Sequence, residues 1–168
     1  RNFFARFPGA ERRRWREIRY LYVAILVLDT NLRALEPAQV ADELRWFDAT
    51  LDRAEAAPCV GAIVVVAHHP PFTNGASHAP SRWVRDEVLG RAARRSKTRA
   101  IFSGHLHSYE RFASDGIACV VSGGGGAPLM SVRTEGREHA DLYEGPRRFH
   151  YCRISVGERV TCEVVMLL

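Results

Sequence analysis

Four histidines stand at two matched places in this chain. His68 and His69 end the run "GAIVVVAHHPPF", and His105 and His107 follow a glycine in "AIFSGHLHSYER". In both places a buried-looking, β-branched stretch gives way to imidazole. Imidazole is the usual ligand for zinc and suits iron and nickel, whereas carboxylates suit manganese and magnesium. In sheets built from β–α–β units, ligands bind outside the carboxyl ends of the strands. If the two runs are parallel neighbours, as a helical pattern between them implies, all four rings meet at one crevice. On extended backbone residues i and i+2 point the same way, whereas on a helix they diverge by about 200°. "HLH" as a strand extension therefore aims His105 and His107 into one site, and Gly104 supplies the close approach or positive φ that such a turn needs. The spacing leaves two readings open: a metal site, or hydrogen-bonded structural histidines.

The elements that must position these residues are legible in outline. "YLYVAILVLDTN" reads as one buried strand, Tyr20 to Leu28, ending in a polar loop at Asp29. "EPAQVADELRWFDATLDRAEAA" reads as a helix with Pro37 in its first position. Val40, Leu44, Phe47 and Leu51 make one apolar stripe along it. Ala62 to Ala67 is a second strand. "PSRWVRDEVLGRAARRSK" is a second helix with Ser81 as its N-cap, and "RAIFSG" is a third strand. Beyond it the texture turns to β: "YERFA", "GIACVVSG", and a terminal hairpin of "RFHYCRISV" and "RVTCEVVML" turning at Gly157-Glu158. Between them Gly123 to Pro146, rich in glycine and charge, reads as a surface loop. No repeat or linker interrupts the pattern, so residues 1–168 are read as one domain.

Composition narrows the function classes. At 168 residues, 46% hydrophobic and 26% charged, the chain can bury one sizeable core. No apolar run reaches the roughly 18 residues of a membrane span. The net charge of +5 rests on 23 arginines and one lysine, the mark of a genomic bias rather than of a phosphate-backbone platform. The densest basic run, "ERRRWR", lacks the aromatic interleaving of a nucleic-acid surface and reads as a solvated loop. Four cysteines form no CxxC pair, which argues against a zinc knuckle, and a Cys152–Cys162 bridge across the terminal hairpin is open. "SGGGGAP" lacks the Lys-Ser/Thr ending of a phosphate-binding P-loop.

"AHHPPF", "GHLHSYER" and "VVSGGGGAPL" together resemble the calcineurin-like metallophosphoesterases, in particular their purple-acid-phosphatase-like branch. "GHLHSYER" is similar to the family's fifth motif, Gly-His-x-His, with that branch's Tyr-Glu-Arg extension. "AHHPPF" is similar to the fourth, and "NFFARFPG" and "LDTN" to the stretch after the third. The resemblance implies an α/β fold, half of an α-β-β-α sandwich: a mixed sheet with flanking helices and a C-terminal β-hairpin. It implies hydrolysis of phosphate esters, mono- or diester, by two divalent or trivalent ions among iron, zinc and manganese. His68 and His105 would hold one ion and His107 the other. His69 would stand behind the ligands or on the substrate side, and His78 would contact substrate. His139 and His150 match no motif; His139 is read as a surface residue and His150 as a strand residue. The resemblance also favours a secreted or periplasmic location.

A dinuclear centre needs carboxylates, one of them bridging, to offset the repulsion of two cations. The family's Asp-x-His, Gly-Asp-x-x-Asp and Gly-Asn-His motifs do not occur in this sequence. The chain is therefore expected to be the C-terminal half of such a domain, with three ligands and no activity alone. The rival expectation is a non-catalytic or single-metal domain that keeps these histidines.

Overall fold

The computed structural model describes residues 14–156 and 159–167. "NFFARFPG" and the Gly157-Glu158 turn lie outside the described residues. A six-stranded sheet runs in the order β1-β2-β3-β4-β6-β5, and a two-stranded ribbon, β7-β8, stands apart from it. The strands are β1 Arg16–Tyr20, β2 Val23–Val27, β3 Ala62–Val66, β4 Thr98–Ser103, β5 Tyr109–Ser114, β6 Ile117–Ser122, β7 His150–Val156 and β8 Val160–Met166. β2, β3, β4 and β6 are parallel, and β1 and β5 close the two edges antiparallel.

The parallel centre follows from two helical crossovers. α1, Pro37–Ala56, joins β2 to β3; it starts at Pro37 and is fixed by a capping box in which Glu36 N–H donates to the Gln39 side chain. α2 joins β3 to β4 in two parts, Val84–Leu89 with π-type turns and Gly90–Ala92 with α-type turns. Ser81 caps it as expected, its hydroxyl accepting the Val84 N–H at 3.2 Å. Both helices bury one face against one side of the sheet. Phe47, Leu51, Val84 and Val88 pack there on Ala24, Leu26, Ile63, Val65 and Ile101. The alternate residues Val23, Ala62 and Val64 face the other side, where Val156 and Val160 of the ribbon cover them. Helices, sheet and ribbon thus form an α/β stack with a mixed sheet and a C-terminal hairpin.

Several local expectations are corrected. The apolar run from Tyr20 to Leu28 is not one strand: Tyr20 ends β1, and the chain reverses through Leu21, at φ 51°, before β2 begins at Val23. The described part of "ERRRWR" is not a free loop, because Arg16 opens β1 and Arg14 pairs with Asp29 at 3.3 Å. On α1, Val40 and Leu44 are only half-buried, and the inner face is Glu43, Phe47, Thr50, Leu51 and Ala54. The middle of α2 winds by one extra residue per turn, with Gly90 N–H bonding Arg85 O. Cys152 and Cys162 are free thiols, with no bridge between them.

Candidate metal centre

The carboxyl ends of β2, β3 and β4 lie side by side. Leu28 N–H bonds Val66 O at 2.9 Å, Ala67 N–H bonds Phe102 O at 2.9 Å, and Gly104 N–H bonds His68 O at 3.0 Å. These bonds carry the ladder one step past the strands, so the two histidine junctions meet. His68 Nε2 stands 3.0 Å from His105 Nδ1. Ligand nitrogens of His68, His69 and His105 all lie within 4.8 Å of one another. The ring of His78, brought back by the loop after β3, lies 4.5 Å from that of His105, centroid to centroid.

The convergence does not arise as the spacing implied. Residues 104–108 are not a strand extension but a bend, with Leu106 N–H bonding Gly104 O and Ser108 N–H bonding Leu106 O, both at 2.8 Å. The positive φ belongs to His105, at 66°, and not to Gly104. A left-handed conformation is costly for a residue with a Cβ. Packing holds it in place: Leu106 is fully buried, and Gly123 lies against its carbonyl so closely that a Cβ there would come within 2.0 Å. The glycine-rich exit from β6 is thus a close backbone approach that fixes the histidine bend.

His107 lies outside the three-ring group. Its Nδ1 is 2.9 Å from Pro128 O. A carbonyl only accepts, so Nδ1 carries the proton and Nε2 keeps its lone pair, the tautomer a metal ligand needs. His69 is held through Thr30, whose hydroxyl oxygen accepts the His69 N–H at 3.0 Å and lies 2.9 Å from its Nδ1. His139 is not a surface residue. It is half-buried, its N–H donates to Asn74 Oδ1 and its carbonyl accepts from Asn74 Nδ2, and its ring packs on Phe72. His150 opens β7, buried, as expected of a strand residue.

Electrostatics favour neutral rings. Burial, then the neighbouring His69, His68, His78 and His107, push the His105 pKa down to about 4. Burial and His68 lower that of His69, against the opposing pull of Thr30 and Asp29. Burial and crowding thus hold the His105 and His69 rings toward the neutral form, which carries the lone pair a metal needs.

The donor set fits one ion of zinc character. Two nitrogens on a tetrahedral zinc at about 2.0–2.1 Å stand about 3.3–3.4 Å apart, close to the His68–His105 separation. For a pair of ions the fit is incomplete, because no carboxylate joins the group among the described residues. Asp29 is committed elsewhere, its Oδ1 accepting the Asn31 N–H at 3.0 Å and its Oδ2 facing Arg14.

Two carboxyls that sequence reasoning passed over hold the site's loops. Glu43, on α1, accepts the Asp29 N–H at 2.7 Å and so fixes the turn that carries Thr30. Glu110, on β5, accepts the Thr73 hydroxyl at 2.5 Å and the Asn74 N–H at 2.8 Å, pinning the loop that leads to His78. The signal for Glu43 was a charge on the apolar face of α1. For Glu110 it was the "YER" that closes the second histidine motif, whose glutamate has a structural reason of its own.

No family model matches the chain. It is 34% identical over 85 residues to a cAMP/cGMP dual specificity phosphodiesterase of Mycobacterium tuberculosis, a match covering 49% of this chain and 26% of that protein. The chain therefore spans about a quarter of that relative's length. Among solved structures, it superposes on purple acid phosphatase PPD1 from yellow lupin seeds with a TM-score of 0.64 at 14% identity, over 83% of this chain and 27% of that one. It also superposes on GAP50, the anchor in the inner membrane complex of Plasmodium, with a TM-score of 0.66 at 14% identity, over 90% of this chain and 49% of that one. The chain thus shares the fold of a purple acid phosphatase, the branch its histidine motifs resemble.

Proposed function

We propose that this chain is part of a metal-dependent hydrolase of phosphate esters, of purple-acid-phosphatase-like type. The observation that carries the reading is the imidazole cluster at the carboxyl ends of β3 and β4, with His68 Nε2 and His105 Nδ1 3.0 Å apart and His105 held neutral. His68 and His105 would hold one ion, His107 would offer its Nε2 to a second, and His69, oriented by Thr30, would support the first. His78 contacts substrate from the loop above. Metal ions bound here supply charge neutralisation at phosphorus and a hydroxide nucleophile at neutral pH. A bridged pair would also need carboxylates, and none joins the group among the described residues. The phosphodiesterase and phosphatase relatives support a phosphate ester as substrate.

A second reading has its own observation. GAP50 carries the same fold and is an anchor, so the fold alone does not entail catalysis. In that reading the three-ring group is a single-ion or purely structural feature. The test is hydrolysis of p-nitrophenyl phosphate and its bis-ester by the protein together with whatever sequence precedes Arg1 in its gene, before and after chelation. Turnover that is lost on chelation and falls about 100-fold or more in His105→Ala supports the hydrolase. Turnover no faster than buffer with the same metal overturns it in favour of the anchor-like reading.

A further inference from the structure

Beside the imidazole cluster lies a cavity of about 380 Å³, within the range that takes a small organic ligand. Ser77, His78, Arg82, Arg85, Arg133 and Glu138 are among the residues lining it. His78 belongs to both places: its ring lies 4.5 Å from that of His105, and it forms part of the cavity wall. An ester phosphate at the rings thus has this cavity as its neighbour.

The walls are built rather than incidental. One comes from the loop between β3 and α2, the other from the long segment between β6 and β7, and the two are laced together. Ala76 N–H bonds Ser131 O at 3.1 Å, Arg133 N–H bonds Asn74 O at 3.0 Å, and Gly75 pairs with Val132 as an antiparallel bridge. Gly75 seats this ribbon directly on the histidine bend, since a Cβ there would meet Leu106 at 2.6 Å. Arg82 and Arg85, three residues apart, share one side of the helical entry to α2. Arg85 is braced by a bond from Nε to Pro71 O at 3.2 Å and by its position over the Phe72 ring. Arg133 comes from the opposite wall and meets Glu138 at 3.8 Å. Three arginines and a single carboxylate, Glu138, thus line a cavity of ligand size.

The geometry points to a subsite for a second anionic group of the substrate, so that the preferred ester carries a phosphate or carboxylate on its leaving-group side. This rests on the phosphoesterase reading for what lies at the rings, but not for the anion site itself. Guanidinium forks match both oxyanions two-pronged, which is why arginine rather than lysine serves such recognition. An uncharged leaving group gains nothing from the three guanidiniums.

The test separates the two ideas. The chain is titrated calorimetrically with inorganic phosphate and with malonate in EDTA, as wild type, Arg82→Ala/Arg133→Ala and Arg82→Lys/Arg133→Lys. At least one anion binds the wild type and loses roughly tenfold or more of its affinity in the alanine pair. The lysine pair, which keeps the charge, recovers part of that loss, and unchanged thermal unfolding shows that both variants are folded. Preference for phosphate assigns a second phosphoryl group to the substrate, and preference for malonate a carboxylate. Failure of both anions to bind, or equal binding by wild type and the alanine pair, overturns the subsite. Zinc binding is measured on the same proteins. Anion binding without zinc binding leaves the subsite standing and removes the metal reading, and zinc binding without anion binding does the reverse.

Discussion

Glu43 and Glu110 are both fully shut away from water, Glu43 fastening the turn that carries Thr30 and Glu110 the loop that leads to His78, yet they are satisfied differently. Glu110 uses both oxygens, one for the Thr73 hydroxyl and one for the Asn74 N–H. Glu43 uses one, for the Asp29 N–H, while its Oε2 has no hydrogen-bond partner among the described residues. Burial raises the pKa of both. In Glu110 the Thr73 and Asn74 bonds oppose the rise, whereas Glu43 reaches about 7 with its one Asp29 bond and the Arg14 charge opposing it. The difference teaches that one acid is a finished clasp and the other a clasp sensitive to protons near neutrality.

The largest effect expected from this contrast is on the finished clasp. Glu110→Ala leaves a hydroxyl and an amide N–H buried without their acceptor and costs about 3–5 kcal/mol, read by urea unfolding. A loss under about 1 kcal/mol would show that the loop to His78 is held by other contacts.

Glu43 is tested through pH. Its folded pKa of about 7 lies above the ordinary 4.5, so the folded state holds the proton more tightly. That contribution is full below pH 4.5, declines as pH rises toward about 7, and is gone above it; the whole span is about 3 kcal/mol. Glu43→Gln keeps an acceptor for the Asp29 N–H and cannot ionise. The difference in stability between wild type and this variant should change across that window and be flat on either side. Parallel curves for the two proteins would contradict the assignment of the slope to Glu43.

A smaller effect sits on the link between Glu43's loop and the candidate metal site. Thr30→Val removes the hydroxyl that His69 uses at its Nδ1 and backbone N–H, and should cost about 1 kcal/mol. The sharper readout is zinc affinity, which falls roughly tenfold if Thr30 orients a ligand-side ring. Unchanged zinc affinity would place His69 outside the site's working parts.

What the sequence made legible, and what it hid, divides by physical range. The two junctions "VVVAHH" and "IFSGHLH" announced themselves because strand alternation, β-branched burial and the helical stretch between them are local patterns. Pro37 at a helix start and Ser81 as a cap were equally local, and both stand in the structure. The reversal at Leu21 carried no glycine or asparagine to mark it. The left-handed φ of His105, beside a glycine better suited to it, is imposed from a distance by Leu106 in the core and Gly123 against its carbonyl. Glu43 and Glu110 act across 14 and 36 positions of sequence, and nothing in their own neighbourhoods says where their partners are.

The imidazoles at the ends of β3 and β4 are either a metal site or a structural cluster. Calorimetric titration of the chain with Zn²⁺ at neutral pH, beside His105→Ala, measures that directly. One ion binding through His68 and His105 predicts about one equivalent for the wild type and at least tenfold weaker binding for the variant. Equal binding by the two proteins, or none by the wild type, would contradict it.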